Sequence, residues 1–178
     1  AARIAPIASY IIATEPLGQV RADALIARRE AVCDNNFFLD YFRLSADHRM
    51  LFGGRANSAG ASPATLAETI RQRMVGVFPQ LGDVRVDHAW GGFVDVTRNR
   101  APDFGALDPN FFYVQGFSGH GVALTGIAGR AVAGAIAGDT RAFDLFARMR
   151  HRRFPGGDAW RQPALELGML YHRVRELF

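Results

Sequence analysis

The stretch FFYVQGFSGHGVALTGIAGRAVAGAIAG, residues 111–138, is the most informative part of this sequence. It begins with an apolar aromatic run, passes through a glycine-rich turn and continues as a long run of small and apolar residues. The pattern predicts a strand, a tight turn and a helix in that order, because aromatic runs favour strands and glycine favours turns. Each glycine inside the helix costs about 1 kcal/mol relative to alanine. We expect close packing of the helix to offset that cost.

The turn is a candidate anion site. The amino terminus of a helix presents unpaired N–H groups and about half a positive charge. This arrangement suits a phosphate, a carboxylate or a flavin ring that becomes anionic on reduction. An ordinary strand-to-helix turn, with glycines that serve packing alone, explains the same residues equally well. The turn by itself leaves both interpretations open.

Sharper motifs do not fit the turn. The dinucleotide fingerprint G-x-G-x-x-G, begun at Gly119 and Gly121, needs a third glycine where Leu124 stands. A phosphate loop is excluded, because the sequence contains neither Gly-Lys-Ser nor Gly-Lys-Thr. A nucleophile elbow G-x-S-x-G fails because His120 occupies the position of the final glycine. The five histidines show no metal-ligand spacing with one another or with Cys33, so no metal site is predicted.

Composition narrows the class of protein. The 178 residues are 49% hydrophobic and 21% charged, which favours a folded globular protein. A single cysteine and an amino terminus unlike a signal peptide predict a cytoplasmic location. Arg130 lies near the middle of the apolar run 121–138, so a buried soluble helix is favoured over a membrane span. The arginines at 148–153 predict a solvated helix end, and no recognisable module supports nucleic-acid binding.

The first half of the chain mixes strands and a helix. Ile4–Thr14 is an apolar, β-branched run followed by proline, so it predicts a buried strand. The runs 37–44 and 49–53 flank a four-residue polar link and predict an antiparallel hairpin. Residues 62–77 begin with Ser-Pro and carry apolar residues at helical spacing, so they predict an amphipathic helix.

The remaining segments complete the predicted class. Alternation at 84–88 predicts a half-buried strand that continues after two glycines to residue 97. Shorter helices are predicted over 142–149 and 165–177, whereas residues 17–36 are expected to form loop and short helix. An antiparallel hairpin, isolated helices and one strand-turn-helix unit together predict an α+β fold.

Five short motifs follow one another along the chain. They are ATEPL at 13–17, YFRLSAD at 41–47, LFGGR at 51–55, WGG at 90–92 with Arg100, Pro102 and Gly105, and YVQGFSGHG at 113–121. In this order they resemble the D-amino-acid oxidase-like family of FAD-dependent oxidoreductases, especially its gamma-glutamylputrescine oxidase branch. Each motif alone is weakly specific, whereas five in order are specific. The resemblance covers roughly residues 8 to 155.

The resemblance implies a two-domain flavoenzyme. Residues 1–107 would form a portion of the substrate-binding domain, with a mixed or antiparallel sheet and helices. Residues 108–178 would form the returning strand, turn and helix of the FAD-binding domain, which has a glutathione-reductase-like fold, and the terminal helices. The family's amino-terminal Rossmann unit has no counterpart in this sequence. The resemblance therefore implies that a missing amino-terminal half, or a partner chain, completes the FAD site.

The resemblance also implies site residues. The predicted cofactor-binding residues are Ser118, Gly119, His120, Gly121, Val122 and Ala123 in the turn, with Gly91 and Gly92 beside the flavin ring. Glycines stand where some relatives tether the flavin through cysteine, so non-covalent FAD is expected. Trp90 and Phe117 would line the amine pocket, and Arg100 would hold a substrate carboxylate. His120 is the candidate catalytic acid or base. A packed or surface role explains each of these side chains equally well.

The expected activity is oxidation of a primary or secondary amine, such as a gamma-glutamylated polyamine. Hydride would pass from the small-molecule amine to the flavin, the imine would hydrolyse, and oxygen would reoxidise the flavin. The alternative is a non-catalytic fragment or assembly module that needs a partner chain to cover its sheet edge and apolar patches. A yellow preparation would favour the oxidase.

Overall fold

The computed structural model describes residues 3–36, 39–54, 63–154 and 167. The chain forms two compact units, residues 8–92 and residues 1–7 with 93–178. The elements in chain order are β1 (Ile4–Thr14), α1 (Gln19–Leu25), β2 (Val32–Cys33), β3 (Tyr41–Leu44), β4 (Met50–Gly54), α2 (Pro63–Val77), a 3-10 helix (Pro79–Leu81), β5 (Val86–Thr97), β6 (Asp103–Asp108), β7 (Phe111–Gln115), α3 (Gly121–Ile136) and α4 (Arg141–Ala147). The fold is α+β, as predicted from the sequence. The assignment of 1–107 and 108–178 to two domains of a flavoenzyme stays a prediction.

An antiparallel arrangement organises the unit 8–92. Its sheet has the strand order β2-β3-β4-β1-β5. β4 pairs antiparallel with β1 on one side and with β3 on the other, so that Phe52 lies opposite both Ile12 and Phe42. The predicted hairpin is confirmed for β3 and β4, and its turn is closed by the Ser45 amide, which donates to the Arg49 carbonyl at 3.0 Å. Residues 37–38, which the predicted first strand included, lie outside the described residues.

The core of this unit lies between the sheet and α2. Leu66, Ile70 and Met74 recur at a spacing of four residues on the buried face of α2 and join a cluster with Ile12 and Phe52. The predicted apolar periodicity is therefore confirmed. Burial of each such side chain contributes about 1.5–3 kcal/mol. The predicted serine cap of this helix at residue 62 lies outside the described residues.

Two strands were not predicted. β2 has two residues, too few for a periodic pattern, and lies in the stretch where only loop and short helix were expected. β6 pairs antiparallel with β7 and carries Gly105 in its middle. A Cβ at that glycine would lie 2.3 Å from the Tyr113 ring, so the tyrosine packs directly onto the strand backbone. Glycine is uncommon inside strands, which explains why the sequence pattern did not indicate β6.

The core of the other unit lies between the β6–β7 hairpin and the helices α3 and α4. Ala128, Ala131 and Ala135 form the buried face of α3 and cluster with Phe104 and Phe143. The Phe104 ring meets the Phe143 ring edge-on at a centroid distance of 5.7 Å. Small side chains on the helix leave room for these rings. α3 thus packs closely on its alanine face, whereas no described atom lies within 4 Å of a Cβ built on Gly126 or Gly129, so the close packing expected at these glycines is not found.

The last predicted helices have different outcomes. The helix predicted over 142–149 is confirmed as α4, Arg141–Ala147. The helix predicted over 165–177 lies outside the described residues, apart from position 167. Among the described residues no single helix is long and apolar enough to cross a membrane, and α3 and α4 reach that length only as a pair bent by 117°.

Candidate functional site

The turn between β7 and α3 is built from residues in the left-handed backbone conformation. Gly116, Ser118 and Gly119 have φ values of 71°, 54° and 92°. A Cβ at Gly116 would lie 2.5 Å from Thr97 Cγ2 and 2.7 Å from Ile4 Cδ1, so only glycine fits there. The chain can therefore reverse tightly between the strand and the helix.

Ser118 is buried and fixes the turn to the end of β5. Its Oγ accepts a hydrogen bond from the Thr97 amide at 3.2 Å and donates to the Gly116 carbonyl at 3.1 Å. Its own amide donates to the Asp95 carbonyl at 2.9 Å. Both the hydroxyl and the amide of Ser118 are thus occupied within the protein. Of the predicted cofactor residues, Ser118 holds the turn in place and offers no free donor.

The open amides of the turn lie just after Ser118. The His120 amide donates to the Phe117 carbonyl at 2.9 Å, and Leu124 donates the first helical hydrogen bond, to the His120 carbonyl at 3.0 Å. Within this turn and the first turn of α3, both in the described part of the chain, the amides of Gly119, Gly121, Val122 and Ala123 have no acceptor. The Val122 side chain is fully exposed, and no atom lies within 4 Å of a Cβ built on Gly119. A ligand can approach these amides directly.

A cavity of about 360 Å³ lies beside the turn in the same unit. Its wall is mainly apolar and includes Phe104, Leu124 and Phe146. Two of the predicted site residues, His120 and Arg100, also line it. The structure therefore brings the candidate acid or base and the candidate carboxylate ligand to one cavity. Phe117 is not among the lining residues and packs instead against the core of this unit.

The other predicted residues belong to the unit 8–92. Trp90 is half exposed and lines a second cavity of about 280 Å³, together with Tyr10 and Ile70. A Cβ at Gly91 would lie 2.3 Å from the Tyr10 ring, so packing alone requires a glycine there. Gly92 has no neighbouring atom within 4 Å of its Cβ position, so its backbone is open to approach.

Two polar residues that support the turn were missed in the sequence. Thr97 is buried, and its Oγ1 donates to the Ala101 carbonyl at 2.7 Å while its amide holds Ser118. Asp103 is buried and accepts a hydrogen bond from Gln115 Nε2, at the end of β7, at 3.1 Å. The Thr97–Ser118 contact joins residues 21 positions apart, and no local pattern marks such a pair. The sequence feature that could have indicated Thr97 is a polar residue at the end of a predicted strand.

The comparisons with known proteins identify the class. Residues 1–135 match the family model described as DAO, FAD dependent oxidoreductase. The chain belongs to this family of FAD-dependent oxidoreductases, which confirms the resemblance found in the sequence motifs.

Named relatives cover nearly the whole chain. The chain is 44% identical over 176 residues to "Probable oxidoreductase OrdL" of Haemophilus influenzae, covering 99% of this chain and 40% of that protein. It is 40% identical over 176 residues to the gamma-glutamylputrescine oxidoreductase of Escherichia coli, covering 99% of this chain and 41% of that protein. The chain thus spans about 40% of the length of these relatives.

Solved structures share the fold. Glycine oxidase from Geobacillus kaustophilus matches with a TM-score of 0.64 and 17% identity, over 85% of this chain and 40% of that chain. L-proline dehydrogenase from P. horikoshii matches with a TM-score of 0.62 and 19% identity, over 80% of this chain and 38% of that chain. At this identity the likeness concerns the fold alone, and it agrees with the α+β arrangement described above.

Proposed function

We propose that this chain is part of an FAD-dependent oxidase of primary or secondary amines, with gamma-glutamylated polyamines as the substrate class and FAD bound non-covalently. Family membership supports the cofactor, and the name of the Escherichia coli relative supports the substrate class. The observation that carries the proposal is the group of open amides at the amino terminus of α3, a helix of 16 residues.

The turn fits the edge of a flavin ring. The four open amides and the helix terminus place partial positive charge at an exposed surface. Gly119 leaves the backbone uncovered there, so a planar ring system can come close. Bound FAD supplies the hydride acceptor, and reduction places negative charge on the ring. The amides stabilise that charge without having to reorient, because Ser118 and Thr97 already fix the turn.

The side chains at the cavity act on the substrate. Arg100 holds an anionic group of the substrate, such as the carboxylate of a glutamyl moiety, since guanidinium groups bind carboxylates with good geometry. His120, at the same cavity, accepts or returns a proton of the amine. The apolar wall of this cavity, which includes Phe104, Leu124 and Phe146, packs against the carbon chain of the amine. With bound FAD as the electron acceptor, the amine would be oxidised to an imine, which water would hydrolyse to an aldehyde.

The proposed site is completed by residues outside this sequence. No stretch of the chain carries the dinucleotide fingerprint that would hold the FAD pyrophosphate. Several large apolar side chains are exposed, and a completing polypeptide would cover them; they include Phe93, Leu107, Val122, Ile136 and Leu145. We therefore expect this chain alone to bind FAD weakly and to be active with a dinucleotide-binding portion. A chain that stays colourless and inactive with that portion would support the assembly module instead.

Substitution of Val122 tests the proposal. Val122→Asp places a carboxylate at the start of α3, which stabilises the helix by about 0.3–1 kcal/mol. The same charge opposes the negative charge of a reduced flavin, so FAD affinity and oxidation of gamma-glutamylputrescine should fall. Val122→Asn is the matched control, because it has nearly the same size and polarity without the charge. Thermal unfolding, FAD titration and peroxide release are measured in the protein joined with its dinucleotide-binding portion.

The contrast between the two variants decides the outcome. Higher helix stability with weaker FAD binding in V122D than in V122N supports a flavin at these amides. Equal FAD affinity and equal turnover in the two variants would contradict the placement of the flavin.

A further inference from the structure

We propose that His151 and Asp103 form a proton-operated latch that ties the segment 148–154 to the β6–β7 hairpin. The His151 side chain is 1% exposed and the Asp103 side chain 3% exposed. His151 Nε2 lies 4.0 Å from Asp103 Oδ1, beyond hydrogen-bond length. Neither ring nitrogen of His151 has a hydrogen-bond partner among the residues that the structure describes.

An imidazole with two unpartnered nitrogens is unusual in a protein interior, where polar atoms are nearly always hydrogen-bonded. A neutral imidazole has one donor and one acceptor, whereas the protonated ring has two donors and a full positive charge. A protonated His151 would donate from Nε2 to the facing carboxylate. A ring movement of roughly 1 Å closes the gap to the length of a charge-assisted hydrogen bond.

Asp103 has capacity for this additional donor. Its Oδ2 accepts the hydrogen bond from Gln115, and its Oδ1 lies 3.5 Å from Arg3 Nη1. Arg3, which precedes β1, is about half exposed at 48%. The half-exposed guanidinium of Arg3 also has hydrogen-bonding groups that face solvent. Oδ1 therefore remains available to His151.

The other charged groups at the pair are arginines. Arg98, from the end of β5, donates to the carbonyl of Arg153, two residues beyond His151, at 3.4 Å. Arg150 and Arg152 flank His151 in sequence and are exposed. Among the described residues, Asp103 is therefore the acidic group that faces the ring, with Arg3 beside it and neutral Gln115 from β7.

Histidine is the side chain type that ordinarily gains or loses its charge between about pH 5 and 8, so the latch is tested across that range. Protonation would tie the segment after α4 more firmly to the hairpin, and deprotonation would release it. Asp103 also holds Gln115, the last residue before the glycine turn. The latch needs no flavin, so its test is independent of the proposed function.

Hydrogen exchange in the full chain tests the latch. Amides of 148–154 are followed by mass spectrometry at pH 6 and pH 8, with correction for the intrinsic pH dependence of exchange. We expect roughly tenfold to hundredfold slower exchange at pH 6, the size expected of one charge-assisted hydrogen bond. Asp103→Asn and His151→Gln should each abolish the difference. His88→Gln, at an exposed histidine of the other unit, should keep it.

The wild-type protein alone is sufficient to overturn the proposal, even if a variant fails to fold. Equal corrected exchange of 148–154 at the two pH values would show that no latch closes. A difference that persists in Asp103→Asn would assign the pH response to a group other than this pair.

Discussion

Ser118 has a φ of 54°, in a left-handed region that non-glycine residues rarely adopt. Such a conformation persists only where the surroundings hold it. Here the Thr97 amide, the Gly116 carbonyl and the Asp95 carbonyl all bond to the same residue. The serine side chain therefore sets the direction of the amides that follow it.

Removal of the Ser118 hydroxyl should destabilise the turn. Ser118→Ala leaves the buried Thr97 amide without its partner, which costs about 1–3 kcal/mol. Chemical denaturation measures the loss of unfolding free energy. Thr69→Ala is the control, because the Thr69 hydroxyl bonds within an exposed helical turn and its loss should change stability by less than about 0.5 kcal/mol. Equal stability of the two variants would show that the Ser118 hydroxyl does not hold the turn.

Strands and helices could be predicted where the residues of the segment itself carry the pattern. β1 has the predicted bounds, because a β-branched run ends at Pro16, and α3 begins after the predicted glycine turn. β6 was missed because Gly105 interrupts its pattern, and β2 was missed because two residues are too few for a periodic pattern. The same limit applies to the site. The glycines that open the turn are visible in the sequence, whereas the bond from Thr97 to Ser118 is not.

An arginine joins the ends of three strands in the unit 8–92. Arg49, which precedes β4, donates to the Thr14 carbonyl at the end of β1 at 2.8 Å. It also donates to Asp87 Oδ2, near the start of β5, at 2.7 Å. The hydrogen bond from Arg49 holds the pKa of Asp87 below its ordinary value. This ion pair therefore links the folding of these strands to pH.

The sign of that linkage gives a prediction. A depressed pKa in the folded state means that the carboxylate stabilises the fold above the ordinary value of about 4 and loses this effect as pH falls through the folded value. Asp87→Asn should therefore lower stability at pH 7, and the difference from the wild type should vanish at strongly acidic pH. Urea denaturation at several pH values measures it. Glu30→Gln, at an exposed position of the same unit, should show no such trend. A constant difference at all pH values would contradict the role of the Asp87 charge.

At the scale of the whole molecule, each compact unit has its own hydrophobic core. Met74 belongs to the core beneath the sheet of 8–92, and Phe143 belongs to the core around α3. The chain is also only about 40% of the length of its relatives, and exposed apolar side chains occur in both units. The stability of each unit is therefore a separate property from the proposed completion of the flavin site by further polypeptide.

A substitution that creates a cavity in one core should destabilise mainly the unit that contains that core. Met74→Ala and Phe143→Ala each remove a buried side chain and should cost about 2–5 kcal/mol. Amide exchange followed by mass spectrometry should accelerate mainly in the unit that carries the substitution, because protection follows the local core. Val77→Ala and Leu145→Ala are the matched controls in the same helices, since these side chains are 45% and 70% exposed. Equal loss of protection in both units after a single core substitution would mean that the two cores unfold as one cooperative body.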